Sequence, residues 1–149
     1  MNGPIELYHH YRTEVQHEMS LMLARLNALL TSQSFLVIAY ASSMAIANGH
    51  WSQPLAMLLP PFLALLGFVL AVEGRIGIVA ARRALGRWQH RLDDLVGSNA
   101  SLIDWADLMD EGVRDTRRAG ELFAVRSPMI FMGAWVFLFA LPLVLRMAG

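Results

Sequence analysis

The chain has 149 residues, of which 56% are hydrophobic and 16% are charged, and its mean hydropathy is +0.43. This composition excludes a disordered chain and argues against an ordinary soluble domain, in which about 25% of residues are charged. The 12 basic residues, all of them arginine, balance 12 acidic ones, so no overall positive field indicates nucleic-acid binding. The absence of cysteine excludes disulfides, zinc–thiolate sites and thiol nucleophiles.

The first long segment without charge lies between Arg25 and Glu73 and contains 47 residues. A transmembrane helix needs about 20 mostly apolar residues, so this segment is long enough for two spans. The polar residues 48–54, with their glycine and proline, are typical of the turn between them. We therefore predict spans at about 31–48 and 54–80. Nothing between Glu6 and Ala47 is glycine or proline, so the first helix is expected to begin near Pro4.

The second segment without charge lies between Arg126 and Arg146 and contains 19 residues. It predicts a third span at about 128–147, with Ser127 as the N-cap and Pro128 as the first helical residue. The chain is thus predicted to be an all-α membrane protein, residues 1–149 forming a single membrane domain with three transmembrane helices. Residues 82–126 form a cytoplasmic helical insert in this prediction.

The first and second helices are expected to extend into the cytoplasmic region. Apolar residues recur at helical spacing before the first span and after the second, as Leu7, Tyr11, Val15, Met19 and Met22, then Leu85, Trp88, Leu92 and Leu95. Residues 97–100 are predicted to end the second helix, and Ser101 with Asp104 to begin a short one that carries Trp105.

Arginine placement predicts the orientation. Four arginines without an intervening acid follow the second span, at 82, 83, 87 and 91. The positive-inside rule places this segment in the cytoplasm, and with it the N-terminus, while the C-terminus lies outside. Residues 1–19 have no apolar core and contain three glutamates, so no cleaved signal peptide is expected.

Polar residues fall near one face of the first helix. They are Glu14, Glu18, Arg25, Ser32, Tyr40 and Ser43, with Gln33 beside them. Polar groups are costly in lipid, so this face is expected to meet protein or water. Two interpretations remain open, a pore-lining stripe in a homo-oligomer and a hydrogen-bonding seam between helices.

Three charges mark the inner ends of the first two spans. Residue counting at about 1.5 Å per residue places Arg25 and Glu73 near the inner membrane boundary, with Arg75 beside them. An Arg25–Glu73 ion pair would either pin the two helices together or contribute to a ring at a pore mouth. Pro60 and Pro61 are expected to kink the second helix, and small residues at Gly67, Ala71 and Gly74 favour close helix packing.

His10, Glu14 and His17 share a helix face and are candidate ligands for a divalent metal. A solvated or packing role is the alternative. The sequence shows no nucleophile–base signature, no glycine-rich phosphate loop and no paired carboxylates within the spans. We therefore expect no enzyme activity and no cofactor.

Part of the first helix resembles a group of bacterial proteins. The stretch Arg25-Leu-Asn-Ala-Leu-Leu-Thr-Ser-Gln-Ser-Phe-Leu36, with His17, Glu18 and Tyr40, is similar to the first helix of widespread, uncharacterised small bacterial integral membrane proteins. The resemblance covers helix 1, and the other spans only in layout. It implies a location in the bacterial inner membrane and no known activity.

Two functional hypotheses follow. In the first, the chain forms a homo-oligomeric ion channel or pore lined by Arg25, Ser32, Gln33, Tyr40, Ser43, Glu73 and Arg75. In the second, it is a non-conducting membrane interaction or sensing module whose cytoplasmic helices bind a protein partner. The expected partners are the lipid bilayer, copies of the same chain and a protein at the cytoplasmic helices, without nucleic acid.

Overall fold

The computed structural model describes residues 3–47, 53–99 and 114–148, and the side chains of these stretches except those at 56, 114–119, 121 and 148. Three long helices account for nearly all of these residues: α1 at Pro4–Ala47, α2 at Pro54–Ser98 and α3 at Arg114–Ala148. The all-α prediction is confirmed. Residues 48–52 of the turn predicted at 48–54, and the short helix predicted near Ser101 and Trp105, fall outside the described residues.

Each helix is long and apolar enough to cross a membrane, over Pro4–Ala47, Met57–Ser98 and Leu122–Met147. The chain is therefore a multi-pass membrane protein by helix length and hydropathy. At about 1.5 Å per residue, α1 and α2 are each about 66 Å long, more than twice the ~30 Å thickness of the hydrocarbon core. Both helices must extend beyond the bilayer.

Local sequence explains where the helices begin and end. Pro4 and Pro54 are the first residues of α1 and α2, a position where the missing N–H of proline costs nothing. At the end of α2, the backbone N–H of Asn99 donates to the carbonyl of Val96, and its side-chain amide donates to the carbonyl of Leu95. These bonds satisfy carbonyls that the helix end leaves free. The prediction that residues 97–100 end this helix is confirmed, since α2 ends at Ser98.

The predicted start of the third helix at Ser127–Pro128 is wrong. The helix α3 begins at Arg114 and continues through Pro128, which is buried, as is Ser127. Proline inside a helix removes one backbone hydrogen bond and usually bends the helix rather than ending it when packing holds both sides. The burial of Ala124, Ser127 and Trp135 provides that packing.

The chain divides into two compact units. Unit 1 comprises Met1–Arg25 and Gly77–Val125, and unit 2 comprises Leu26–Ile76 and Arg126–Gly149. Unit 2 contains only 4 of the 24 charged residues, namely Glu73, Arg75, Arg126 and Arg146. It therefore contains the apolar parts of all three helices, which the sequence predicts as spans.

Burial in α1 and α2 follows a heptad pattern, which is typical of helices packed as in a coiled coil. In α2 every fully buried position among the described side chains lies on one series that alternates by four and three residues, and half-buried residues at 74, 88, 92 and 95 complete it: 60, 64, 67, 71, 74, 78, 81, 85, 88, 92 and 95. In α1, Tyr8, Val15, Met22 and Leu29 are buried at intervals of seven, and so are Leu26, Gln33, Tyr40 and Ala47.

The eleven positions of this α2 series form what we call the α2 seam, and its composition differs between the units. In unit 2 it begins at Pro60 and continues with small residues at Ala64, Gly67, Ala71 and Gly74, which let helix backbones approach closely in a membrane. In unit 1 it consists mainly of larger ones, including Ile78, Leu85 and Trp88. The predicted α1 stripe is only partly buried, since Leu7, Tyr11 and Met19 are half-buried and Tyr8, adjacent to Leu7, is buried.

Candidate functional site

The described polar contacts between helices of unit 2 centre on Gln33. Its side chain is fully buried in the α1 seam, where its Oε1 accepts a hydrogen bond from the indole Nε1 of Trp135 on α3. Its Nε2 donates to the carbonyl oxygen of Gly67 on α2 at 3.2 Å. An indole is only a donor and a backbone carbonyl only an acceptor, so the amide is fixed in one orientation. One glutamine thus joins all three helices.

Only glycine fits at position 67, because the Trp135 ring leaves no room for a side chain there. The indole ring of Trp135 lies so close to its Cα that a Cβ added there would approach the ring more closely than real Cβ atoms do. Gly74, two turns further along the same seam, is more weakly constrained, since a Cβ would lie 2.8 Å from the movable end of the Leu29 side chain. The predicted small-residue stripe therefore serves close packing in this chain.

Tyr40 makes a second link between α1 and α3. Its hydroxyl donates to the carbonyl oxygen of Leu138 at 2.6 Å, and its ring meets Trp135 edge-on with centroids 6.1 Å apart. Tyr40, Ala64 and Trp135 form a buried cluster surrounded by Leu36, Met44, Leu63, Phe68, Phe131 and Leu138. The indole of Trp135 is thereby held from two sides, by Gln33 and by Tyr40.

The serines of the predicted stripe bond within α1. Ser32 donates to the carbonyl of Leu29 and Ser43 to that of Tyr40, three residues back in each case. Ser34 donates to the carbonyl of Leu30 in the same way. Such local bonds satisfy a hydroxyl in lipid without a partner helix.

Arg25 binds the backbone of α2 within unit 1. Its guanidinium Nη1 donates to the carbonyl oxygen of Gly77 at 3.0 Å. The predicted ion pair with Glu73 is not among the contacts of the described residues. Glu73 and Arg75 are both exposed and make no hydrogen bond or ion pair with the described residues.

The metal site predicted at His10, Glu14 and His17 stays a prediction, and these residues are not clustered within the described part of the chain. His10 and His17 are exposed and Glu14 is half-buried. Within residues 3–47, 53–99 and 114–148, no three His, Cys, Asp or Glu side chains lie close enough to hold a metal ion. The His10 ring stands nearly perpendicular to the Trp88 ring, with centroids 6.3 Å apart.

Unit 1 carries an aromatic cluster that the structure leaves half-exposed. The rings of Tyr11 on α1 and Trp88 on α2 are 5.8 Å apart, and both side chains are only partly buried. The guanidinium of Arg91 lies over the Trp88 ring at 5.0 Å from its centroid, the geometry of a cation–π contact. We call Tyr11, Trp88 and Arg91 the aromatic patch.

Sequence reasoning missed Trp135 and understated Gln33. The sequence contained the information needed to find this pair. The indole N–H of Trp135 lies in a charge-free segment and needs an acceptor, and the charge-free segment of α1 contains the side-chain amide of Gln33. What the residue types do not specify is which of several acceptors the indole meets.

Comparison with protein-family models, with curated proteins and with solved structures gives no match. The function is therefore inferred from the geometry of the chain itself.

Proposed function

We propose that this chain is a non-conducting membrane interaction module of a bacterial inner membrane, whose helical extension binds a protein partner outside the bilayer. The observation that carries the proposal is the half-exposed aromatic patch of unit 1. An interaction module predicts that the apolar surface around Tyr11 and Trp88 is incompletely buried in the single chain, and both residues are half-buried.

The composition of the patch supports protein binding. Tryptophan, tyrosine and arginine are the residues most enriched at energetically dominant positions of protein interfaces. Arg83, Arg87 and Arg91 follow one another at intervals of four on α2, so their exposed guanidinium groups form a stripe beside Trp88. The partner that fits this surface is a protein segment with apolar and acidic side chains.

The arrangement of unit 2 gives little support to the alternative, a pore lined by the polar face of α1. Gln33 and Tyr40 direct their polar groups to α2 and α3 of the same chain, and Ser32 and Ser43 bond to their own helix. These groups are satisfied without lining a water-filled path. A homo-oligomeric channel stays a prediction that a flux measurement tests.

The experiment places a photoreactive phenylalanine analogue at Tyr11 in living cells. The matched control is the same analogue at Thr13, an exposed position two residues away, which α1 turns toward a different side. We expect a discrete cross-linked product at position 11 only. This product should be lost in the Arg87→Gln/Arg91→Gln double variant, because the proposed partner is acidic and these arginines would bind it. Equal products at both positions, or none at position 11, would contradict the proposal.

A second measurement tests the channel directly. Purified chain in liposomes is expected to release no trapped ions above protein-free liposomes. Ion flux that falls in Gln33→Leu and Arg25→Ala variants, with the fold retained, would favour the pore instead.

A further inference from the structure

Two opposite charges of unit 2 point away from its core. Glu73 on α2 and Arg126 on α3 are both exposed, and neither makes a hydrogen bond or ion pair with the residues that the structure describes. Arg75 is not a partner for Glu73 by helix geometry, because residues two apart do not face each other.

Both charges lie among exposed apolar side chains. Of the four neighbours of Glu73 one turn away on α2, Val69, Leu70 and Ile76 are exposed and Gly77 is half-buried. Those of Arg126 on α3 are likewise exposed and apolar: Leu122, Phe123, Met129 and Ile130. The buried seam residues Ala71 and Ile78 on α2, and Ala124 and Pro128 on α3, occupy other sides of the helices. Each charge therefore projects from a face that meets lipid in a single chain.

The two charges lie at similar depth. Gly67 and Trp135 are in contact and define one level of unit 2. Glu73 is six residues from Gly67, about 9 Å along α2, and Arg126 is nine residues from Trp135, about 13 Å along α3 in the same direction. The difference of about 4 Å is within the reach of an arginine side chain.

We propose that Glu73 of one copy pairs with Arg126 of a second copy, so that the outward faces of α2 and α3 form the contact between chains. Copies inserted in the same orientation are related by rotation about the membrane normal, which leaves depth unchanged. Groups at equal depth on two helices can therefore meet. Near the inner membrane boundary, a charge among apolar side chains is less well solvated than in water, and pairing it with the opposite charge offsets that cost. Polar side chains in spans are rare and usually find such partners.

The test uses the natural lack of cysteine. Glu73→Cys and Arg126→Cys chains with different tags are co-expressed and oxidised in native membranes. We expect a disulfide-linked product that carries both tags. The control replaces the Glu73→Cys chain with Ala28→Cys, an exposed position on α1 about 7 Å inward from Gln33, and is expected to give at least tenfold less product.

Charge reversal provides the second arm. Glu73→Arg and Arg126→Glu are each expected to shift the purified protein from oligomer to monomer in native mass spectrometry, and the double variant to restore the oligomer. Far-UV circular dichroism shows whether each variant retains its helices. The proposal would be overturned if the Ala28→Cys control cross-linked equally well, or if the wild-type chain were a monomer. It would also be overturned if a monomer carried an anionic lipid that is absent from Arg126→Gln. The last of these outcomes would assign Arg126 to a lipid phosphate.

Discussion

Gln33 on α1 accepts a hydrogen bond from the indole N–H of Trp135, 102 residues later in the chain. The same amide donates to Gly67, so the pair fixes the relative positions of three helices within unit 2. In a bilayer the hydrophobic effect does not hold helices together, and small residues with hydrogen bonds of this kind do so instead.

Replacing Gln33 with leucine should destabilise unit 2. The change leaves the buried indole N–H without its acceptor, and interhelical hydrogen bonds in membranes contribute about 0.6 kcal/mol on average and up to about 1.7 kcal/mol. We expect Gln33→Leu to lower the free energy of unfolding by roughly 1–2 kcal/mol in a detergent titration followed by circular dichroism. The loss in Gln33→Leu/Trp135→Phe should be smaller than the sum of the single losses. Additive losses would show that the two side chains are not coupled.

Substitution of Gly67 by alanine should be more damaging than its size suggests. The added methyl would overlap the Trp135 ring, which is held in place by its contacts with Tyr40 and Gln33. Overpacking of this kind typically costs about 1–3 kcal/mol. The matched control is Gly133→Ala on α3, where no atom lies within 4 Å of the new Cβ. There the better helix propensity of alanine should leave stability equal or raised. Thermal unfolding of both variants in the same detergent makes the comparison, and equal losses would contradict it.

The positions of the spans could be derived from sequence because charge is excluded from lipid. The charge-free runs after Arg25 and Arg126 correspond to the parts of α1, α2 and α3 in unit 2. The start of α3 could not be derived, because Ser127 and Pro128 form a good helix start whose local preference is outweighed by the burial of both residues. The candidate site was only partly accessible, since the polar face identified Gln33 and Tyr40 but not their partners Trp135 and Leu138.

Tyr40→Phe tests the hydrogen bond to Leu138 apart from the aromatic packing. Phenylalanine keeps the ring against Trp135 and removes only the hydroxyl, so we expect a loss of about 0.6–1.7 kcal/mol. Ser34→Ala is the control, because that exposed hydroxyl bonds only to its own helix and its removal should be nearly neutral. A neutral Tyr40→Phe would mean that the Leu138 carbonyl gains nothing from the hydroxyl.

Trp88→Ala should loosen unit 1. The indole contacts Tyr11 and His10 on α1 and lies under Arg91, so its removal takes away aromatic packing between α1 and α2 and a cation–π contact of about 0.5–1 kcal/mol. Hydrogen exchange should accelerate in 4–25 and 77–98, the parts of α1 and α2 in unit 1. Gly86→Ala, a nearby position with open space around its Cβ, should leave exchange unchanged or slower. Unaltered exchange in Trp88→Ala would show that the aromatic patch contributes nothing to the packing of α1 against α2. That result would not contradict the binding of a partner at the patch.

Orientation can be read with single cysteines, since the chain has none of its own. Gln53 precedes α2 and Ser98 ends it, and both are exposed at opposite ends of one helix. Arg82, Arg83, Arg87 and Arg91 lie on the Ser98 side, so the positive-inside rule predicts that this end is cytoplasmic. In intact cells a membrane-impermeant thiol reagent should therefore label Gln53→Cys, and should label Ser98→Cys only after permeabilisation. The opposite labelling would reverse the orientation and place the Ser98 end of α2 on the outer side, where a cytoplasmic partner has no access to it.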